Sequence, residues 1–294
     1  MLARLRQYLE LIRFSHTLFA LPFALLAAAM AWAANARDTP PRPFLAWDAL
    51  GIVVCMVMAR SAAMAFNRLV DRRLDALNPR TQARHLPRGV LGVGSVAVFT
   101  LLCALGFVAG TLLFLPQNWI PLAAAAPVLA FLFGYSFAKR FTLLSHWWLG
   151  AALALAPLAA WVALRAENFA PPLLLAAAVT LWVAGFDIIY ACQDFDFDRQ
   201  MRLHSVPARL GIARALRLAA LCHLGMIAVL AALPLCYPFG RVYLAGVAAV
   251  ALLLGYEHWL VRPDDLTRVN RAFFHMNAVV SLGLLTVGVA DLLL

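Results

Sequence analysis

Two short stretches of the chain keep carboxylates where an apolar sequence would not hold them without a reason. One is Asn67-x3-Asp71-x3-Asp75, within AFNRLVDRRLDALNPRT; the other is Tyr190-x3-Asp194-x3-Asp198, within GFDIIYACQDFDFDRQMRLHS. Each directly follows a strongly apolar run. On a helix, residues at i, i+4 and i+8 lie on one face and span about 12 Å. Each stretch therefore offers a row of oxygens at the end of an apolar helix. Mg2+ binds through a few carboxylates plus substrate phosphate oxygens. Two rows facing each other would form a cage for such cations and a diphosphate, with Asn67, Asp71, Asp75, Asp194 and Asp198 as metal ligands. Asp196 breaks the four-residue spacing and should point away. A single acid at a helix end is as readily a solvated carboxylate paired with an arginine. Two rows of equal spacing at corresponding places argue against that reading.

Basic residues stand close to both rows. Arg80 and Arg84 follow the first, and Lys139 and Arg140 follow the fourth apolar run in YSFAKRFT. With nothing bound they would neutralise the acids; with metal and diphosphate present they would clamp phosphate oxygens. Any one of them alone is as well explained by anchoring at a membrane face. Tyr135, four residues before Lys139, shares its helical face and could donate to the same anion.

Arg60 and Asp187 lie deeper. Arg60 is two turns before Asn67, on the same face and about 10 Å further into the apolar run. A guanidinium there must be paired. It either serves the structure or binds a substrate carboxylate in a bidentate fork. Asp187 lies one turn before Tyr190 and is a candidate general base; an ion pair with Arg60 is the alternative. The seven histidines show no metal-ligand spacing. Only His16, His85 and His204 lie near basic loops, and structural roles are expected for each. The five cysteines also lack metal spacing and read as small core residues.

These side chains must be positioned by membrane helices. Of 294 residues, 64% are hydrophobic and 13% charged, far from a soluble composition. Nine apolar runs lie near residues 17–36, 49–66, 91–115, 119–138, 146–164, 172–193, 214–235, 241–260 and 274–294. The short breaks at Pro116 and Pro238 leave eight or nine spans. The expected fold is all-α: a polytopic bundle of nine transmembrane helices with cytosolic cap loops, forming one domain over residues 1–294.

The net charge of +10 could suggest a nucleic-acid partner, but its distribution argues otherwise. Nineteen of the 24 Lys and Arg fall in the N-terminus and alternate loops, four in the opposite loops, and Arg60 within a run. That is a positive-inside pattern. It puts the N-terminus and both acidic rows on the cytosolic face of the membrane. No cleavable signal peptide is evident. The two rows lie 123 residues apart, each ending an even-numbered run and leading to basic residues and a proline, as duplication of a four-helix unit would produce.

With these residues in place, the sequence resembles the UbiA superfamily of intramembrane prenyltransferases over essentially its whole length. That family has nine transmembrane helices and two aspartate-rich motifs, on helices 2 and 6. Asn67, Asp71 and Asp75 match the first, although Arg68 stands where Asp often follows the Asn. Asp187-x2-Tyr190-x3-Asp194-x3-Asp198 matches the second. The loop RTQARHLPRG resembles the family's R-T-x-x-R-P-L-P-x-G, retaining Arg80, Thr81, Arg84, Leu86, Pro87 and Gly89, with His85 replacing a proline. YSFAKRFT resembles its Y-x-x-x-K-R segment. Arg60 falls where members acting on 4-hydroxybenzoate carry an arginine assigned to the aromatic substrate. IRFSHTLFALPFA and QDFDFDRQMRLHSVPARLG resemble a bacterial subgroup labelled 4-hydroxybenzoate polyprenyltransferases, some linked to menaquinone through a dihydroxynaphthoate. His16 departs from a lysine found there in many relatives.

The resemblance implies Mg2+-dependent transfer from a polyprenyl diphosphate to an aromatic acid, in ubiquinone or menaquinone biosynthesis. It implies that Tyr190 joins Arg80, Arg84, Tyr135, Lys139 and Arg140 around the substrates. A transporter would also carry intramembrane Arg60 and Asp187, but on broken helices near the midplane. A CDP-alcohol phosphotransferase would need an Asp-Gly and Ala-Arg pattern that is absent. The haem O synthase branch is a further alternative within the superfamily.

Overall fold

The computed structural model describes residues 2–12, 19–43, 45–266 and 269–294, excluding the side chains of 2, 3, 5 and 270–275. Among the described residues the chain is all-α. Its helices are α1 (Leu2–Leu11), α2 (Leu21–Ala36), α3 (Ala46–Leu77), α4 (Val93–Thr111), α5 (Ile120–Ala138), α6 (Ser145–Leu164), α7 (Ala170–Ala191), α8 (Phe195–Gln200), α9 (Val206–Leu210), α10 (Ile212–Ala232), α11 (Arg241–Leu260) and α12 (Val269–Leu293). There is no strand among them, only an isolated bridge between Arg262 and Asp265.

Among the described residues, eight helical stretches are long and apolar enough to cross a bilayer. The helix of the first apolar run, α2, has 16 residues and is shorter. At 1.5 Å per residue it covers about 24 Å, below a ~30 Å hydrocarbon core. Of the eight or nine spans expected, the described residues show eight full-length helices and one short one. The protein is a multi-pass membrane protein.

The chain forms two compact units: 1–17 with 45–137, and 18–44 with 138–294. In the first unit α3 packs along α4, and α1 lies against α3. Leu11, Ile12, Ala65, Leu91 and Val96 make a buried cluster there. The 32-residue α3 runs well past its apolar part, so Arg60, Asn67, Asp71 and Asp75 share one unbroken helix. At 100° per residue their directions fall within about 80° of one another. The helix stops because Asn78 precedes Pro79, which disfavours α backbone at the residue before it. Asn78 takes φ −87° and ψ 118°. Its side chain then accepts from the Arg80 amide at 2.9 Å, turning the chain back.

In the second unit α7 is the central helix, packed against α6 and α10. Gly150 of α6 meets α7 where an added Cβ would collide with the Thr180 carbonyl, and Gly185 of α7 makes the same close approach to the His223 ring of α10. Small residues at such crossings let membrane helices pack backbone to backbone. Ile188, Ile189, Cys192, Val206, Ala215 and Ala219 form a buried cluster at the end of α7 that carries the second acidic row. There the helix tightens into a 3₁₀ turn, Cys192–Asp194, before α8.

Candidate active site

On α3, the Asn67 amide donates to Asp71 Oδ2 at 2.9 Å, one turn on. Asp75 is buried, and Arg84 donates to its Oδ1 at 2.6 Å. The turn after Pro79 brings Arg84 back, and Thr81 seals it by donating to the Asp75 carbonyl at 3.1 Å. Arg80 is exposed beside them. Arg68 is buried and donates to the Leu11 carbonyl at 3.4 Å, so it ties α3 to α1. Arg60 is half-buried, and its Nε is buried with no hydrogen-bond partner among the described residues.

In the second unit Asp194 and Asp198 are buried while Asp196 is exposed, in agreement with the spacing argument. Asp198 is only 2% exposed, yet its Oδ2 makes no hydrogen bond. The group that answers its charge is Lys139 Nζ, at 4.0 Å. α5 ends at Ala138, so Tyr135 lies in its last turn, with Lys139 and exposed Arg140 just beyond. The segment after α8 closes over this place. Leu203 donates its amide to the Asp198 carbonyl at 2.8 Å, and His204 donates to the Lys139 carbonyl at 2.7 Å.

Asp187 is partnered by a residue that the sequence reading set aside. His146, fully buried at the start of α6, has Nδ1 2.6 Å from Asp187 Oδ2. Its Nε2 accepts from the Val206 amide at 3.2 Å. Tyr190, one turn beyond Asp187, is half-buried. His204 lies in the segment that closes over Asp198, and its Nδ1 is buried without a hydrogen bond among the described residues. His85 sits 3.5 Å from Glu10. His223 and His258 bond each other at 2.9 Å between α10 and α11. His16 lies outside the described residues. The five cysteines are all unpaired thiols.

Asp75, Asp198 and Asp187 thus each lie beside a basic side chain of the same chain, Arg84, Lys139 and His146. Among the described residues, no group of three His, Cys, Asp or Glu side chains stands ready to hold a metal. Arg84 and Lys139 are the cations that face the buried carboxylates of Asp75 and Asp198. Outside the spans, a hydrogen bond from Arg6 holds the Glu10 carboxyl below its ordinary range. Arg165 does the same to Asp38.

The fold and these side chains define a class: a multi-pass helical membrane protein with charged, chemically capable residues at its helix ends. The solved structures sharpen it. An apo UbiA homologue from Aeropyrum pernix K1 superposes with a TM-score of 0.81 at 31% identity, covering 95% of this chain and 98% of that one. A UbiA homologue from Archaeoglobus fulgidus bound to GPP and Mg2+ gives 0.72 at 19% identity, covering 98% of this chain and 100% of that one, which shows a shared fold. A 4-hydroxybenzoate octaprenyltransferase of Xanthomonas euvesicatoria pv. vesicatoria is 32% identical over 94% of this chain and 89% of its own length. One from Ralstonia nicotianae is 32% identical over 94% and 91%. The chain belongs to the UbiA prenyltransferase family, whose family model matches residues 20–279.

Proposed function

We propose that this enzyme, an aromatic prenyltransferase, moves a polyprenyl group from a polyprenyl diphosphate to a carboxylated phenol, with Mg2+ as cofactor. The acceptor is 4-hydroxybenzoate or a dihydroxynaphthoate, and the product enters ubiquinone or menaquinone biosynthesis. Relatives named 4-hydroxybenzoate octaprenyltransferase support the acceptor class. A family member with GPP and Mg2+ bound supports the donor and the metal. The observation that carries the reading is Asp198: a carboxylate oxygen buried without a hydrogen bond among the described residues, with Lys139 Nζ 4.0 Å away. Such an oxygen is costly to maintain unless something else binds it.

The donor set fits a hard cation, being oxygen throughout. Asp71, Asp75, Asp194 and Asp198, with Asn67, would hold Mg2+. When bound, Mg2+ offsets the charge of the diphosphate and makes it a better leaving group. Arg84 and Lys139, no longer needed by Asp75 and Asp198, turn to the phosphate oxygens, joined by Arg80, Arg140, Tyr135 and Tyr190. Arg60 holds the acceptor's carboxylate. Asp187 takes the phenol proton and raises the ring's nucleophilicity. The segments 67–90 and 194–213 exclude water from the allylic cation as a cytosolic cap.

This chemistry requires both acidic rows to serve one cavity, so the proposal includes residues 1–294 acting as one transmembrane domain. From the charge pattern, the acidic rows belong on the cytosolic side of the bacterial inner membrane. The test is mass spectrometry of products from purified protein given Mg2+, geranyl diphosphate, 4-hydroxybenzoate and a dihydroxynaphthoate in competition, with and without excess EDTA. The expected result is one geranylated aromatic acid, lost on chelation. Undiminished turnover in EDTA contradicts the metal role, and absence of any prenylated acid contradicts the activity.

A further inference from the structure

We propose that His146 is the positioning residue for Asp187, and that it makes the orientation of this acid depend on the seating of residues 201–206. The inference rests on the reading that Asp187 serves the aromatic acceptor.

The hydrogen bonds assign the tautomer. A backbone amide can only donate, so the Val206 N–H at 3.2 Å requires a lone pair on His146 Nε2. A neutral ring then carries its proton on Nδ1, which donates to Asp187 Oδ2 at 2.6 Å. Asp187 accepts on Oδ2, so that oxygen is fixed in place by the ring. A doubly protonated ring would set two N–H groups against each other at Val206. With Nε2 occupied, the imidazole cannot pass a proton onward; its role is to aim the acid. The ring has no exposed surface, whereas the Asp187 side chain keeps 17% of its own. One of the pair is sealed and the other remains open to a substrate.

Local chemistry fixes both ends of this chain. On the membrane side, the glycine crossing at Gly150 lies one turn from His146 and brings α6 close to α7. On the loop side, Ser205 has extended backbone, and its side chain accepts from the Ala208 amide at 3.4 Å, capping α9. Val206 is the first residue of that helix, where the amide has no intrahelical partner. His146 supplies one. The same segment is tied to Asp198 through Leu203 and to Lys139 through His204. Displacing it would free Nε2 and loosen the imidazole, so Asp187 is correctly aimed only when the segment is seated.

Three substitutions separate the two bonds. His146→Asn puts an amide donor near the position of Nδ1 and keeps the bond to Asp187 while losing that to Val206. His146→Gln puts its amide near Nε2 and keeps a partner for Val206 while losing the donor to Asp187. Val206→Pro removes the amide donor at a first-turn position that tolerates proline. Turnover and KM would be measured on purified protein with geranyl diphosphate and the acceptor, beside thermal unfolding.

His146→Gln should lower kcat roughly 10- to 100-fold, the scale on which supporting partners act, with the diphosphate KM within about twofold. His146→Asn should recover most of that loss, and Val206→Pro should lower kcat by about 10-fold. In the Asp187→Asn background, His146→Gln should add no further loss, because the acid it aims is gone. Equal losses in the Asn and Gln variants, or additive loss in the double variant, overturn the positioning role. Full activity of Asp187→Asn in a protein that still prenylates would instead remove Asp187 from the proposed chemistry, leaving the family activity standing.

Discussion

Asp198→Asn should part activity from stability. The change keeps the shape of the side chain and removes its charge. In the resting protein that charge is 2% exposed, its Oδ2 has no hydrogen bond, and its cationic neighbour is Lys139 at 4.0 Å. Two unit charges at that distance attract by about 4 kcal/mol with an effective dielectric constant of 20. Desolvation opposes this with a penalty of several kcal/mol per ion. The pair is therefore close to neutral for folding, and the variant should unfold at the same temperature as the parent or slightly above it. Activity should move differently. A divalent cation in place of lysine doubles the charge, so its loss removes at least about 4 kcal/mol from the reacting state, near three decades in kcat. The assay is product formation by mass spectrometry over a Mg2+ titration, with unfolding followed in the same detergent. Turnover within a few-fold of the parent, or a loss explained by the fraction unfolded, would refute the argument.

Arg60→Ala should raise the KM for the carboxylated acceptor by about 10- to 100-fold, the worth of a charge-assisted pair, and leave the diphosphate KM nearly unchanged. Equal effects on both substrates would make Arg60 structural. A third expectation concerns pH, at a place far in sequence from the acidic rows. Arg165 donates to Asp38 at 2.6 Å and holds that carboxyl below its ordinary range. A depressed folded value means the pair supports the native state above the unfolded value, about 4, and that support fades as pH falls through the folded value. Asp38→Asn should therefore unfold earlier than the parent at pH 7, with the gap narrowing below pH 4. A gap that does not change with pH would contradict it.

Local features made the helices and the acidic rows legible in advance. Membrane spans are read from uninterrupted apolarity, and the observed helices follow the nine runs closely because backbone groups in lipid must bond within their own segment. The exception is α2, whose 16 residues fall short of the bilayer's hydrocarbon core. Asn67, Asp71 and Asp75 fall on one face because α3 continues unbroken to Leu77. The separation of buried Asp194 and Asp198 from exposed Asp196 likewise follows from spacing. The Asn78–Pro79 turn that returns Arg84 to Asp75 spans nine residues and is half local: the turn is written in the dipeptide, the ion pair is not.

What the sequence could not contain was the partner of each buried charge. His146 and Asp187 lie 41 residues apart, and nothing in the spacing of either suggests the other. Their meeting depends on how closely α6 crosses α7, which Gly150 permits and only the packed helices realise. Lys139 reaches Asp198 across 59 positions for the same reason. Periodicity and polarity are properties of neighbouring residues and survive in one dimension. The pairing of two charges in a low-dielectric interior is a property of the distance between helices, and that distance is set by side-chain volume at crossings remote from the charges themselves.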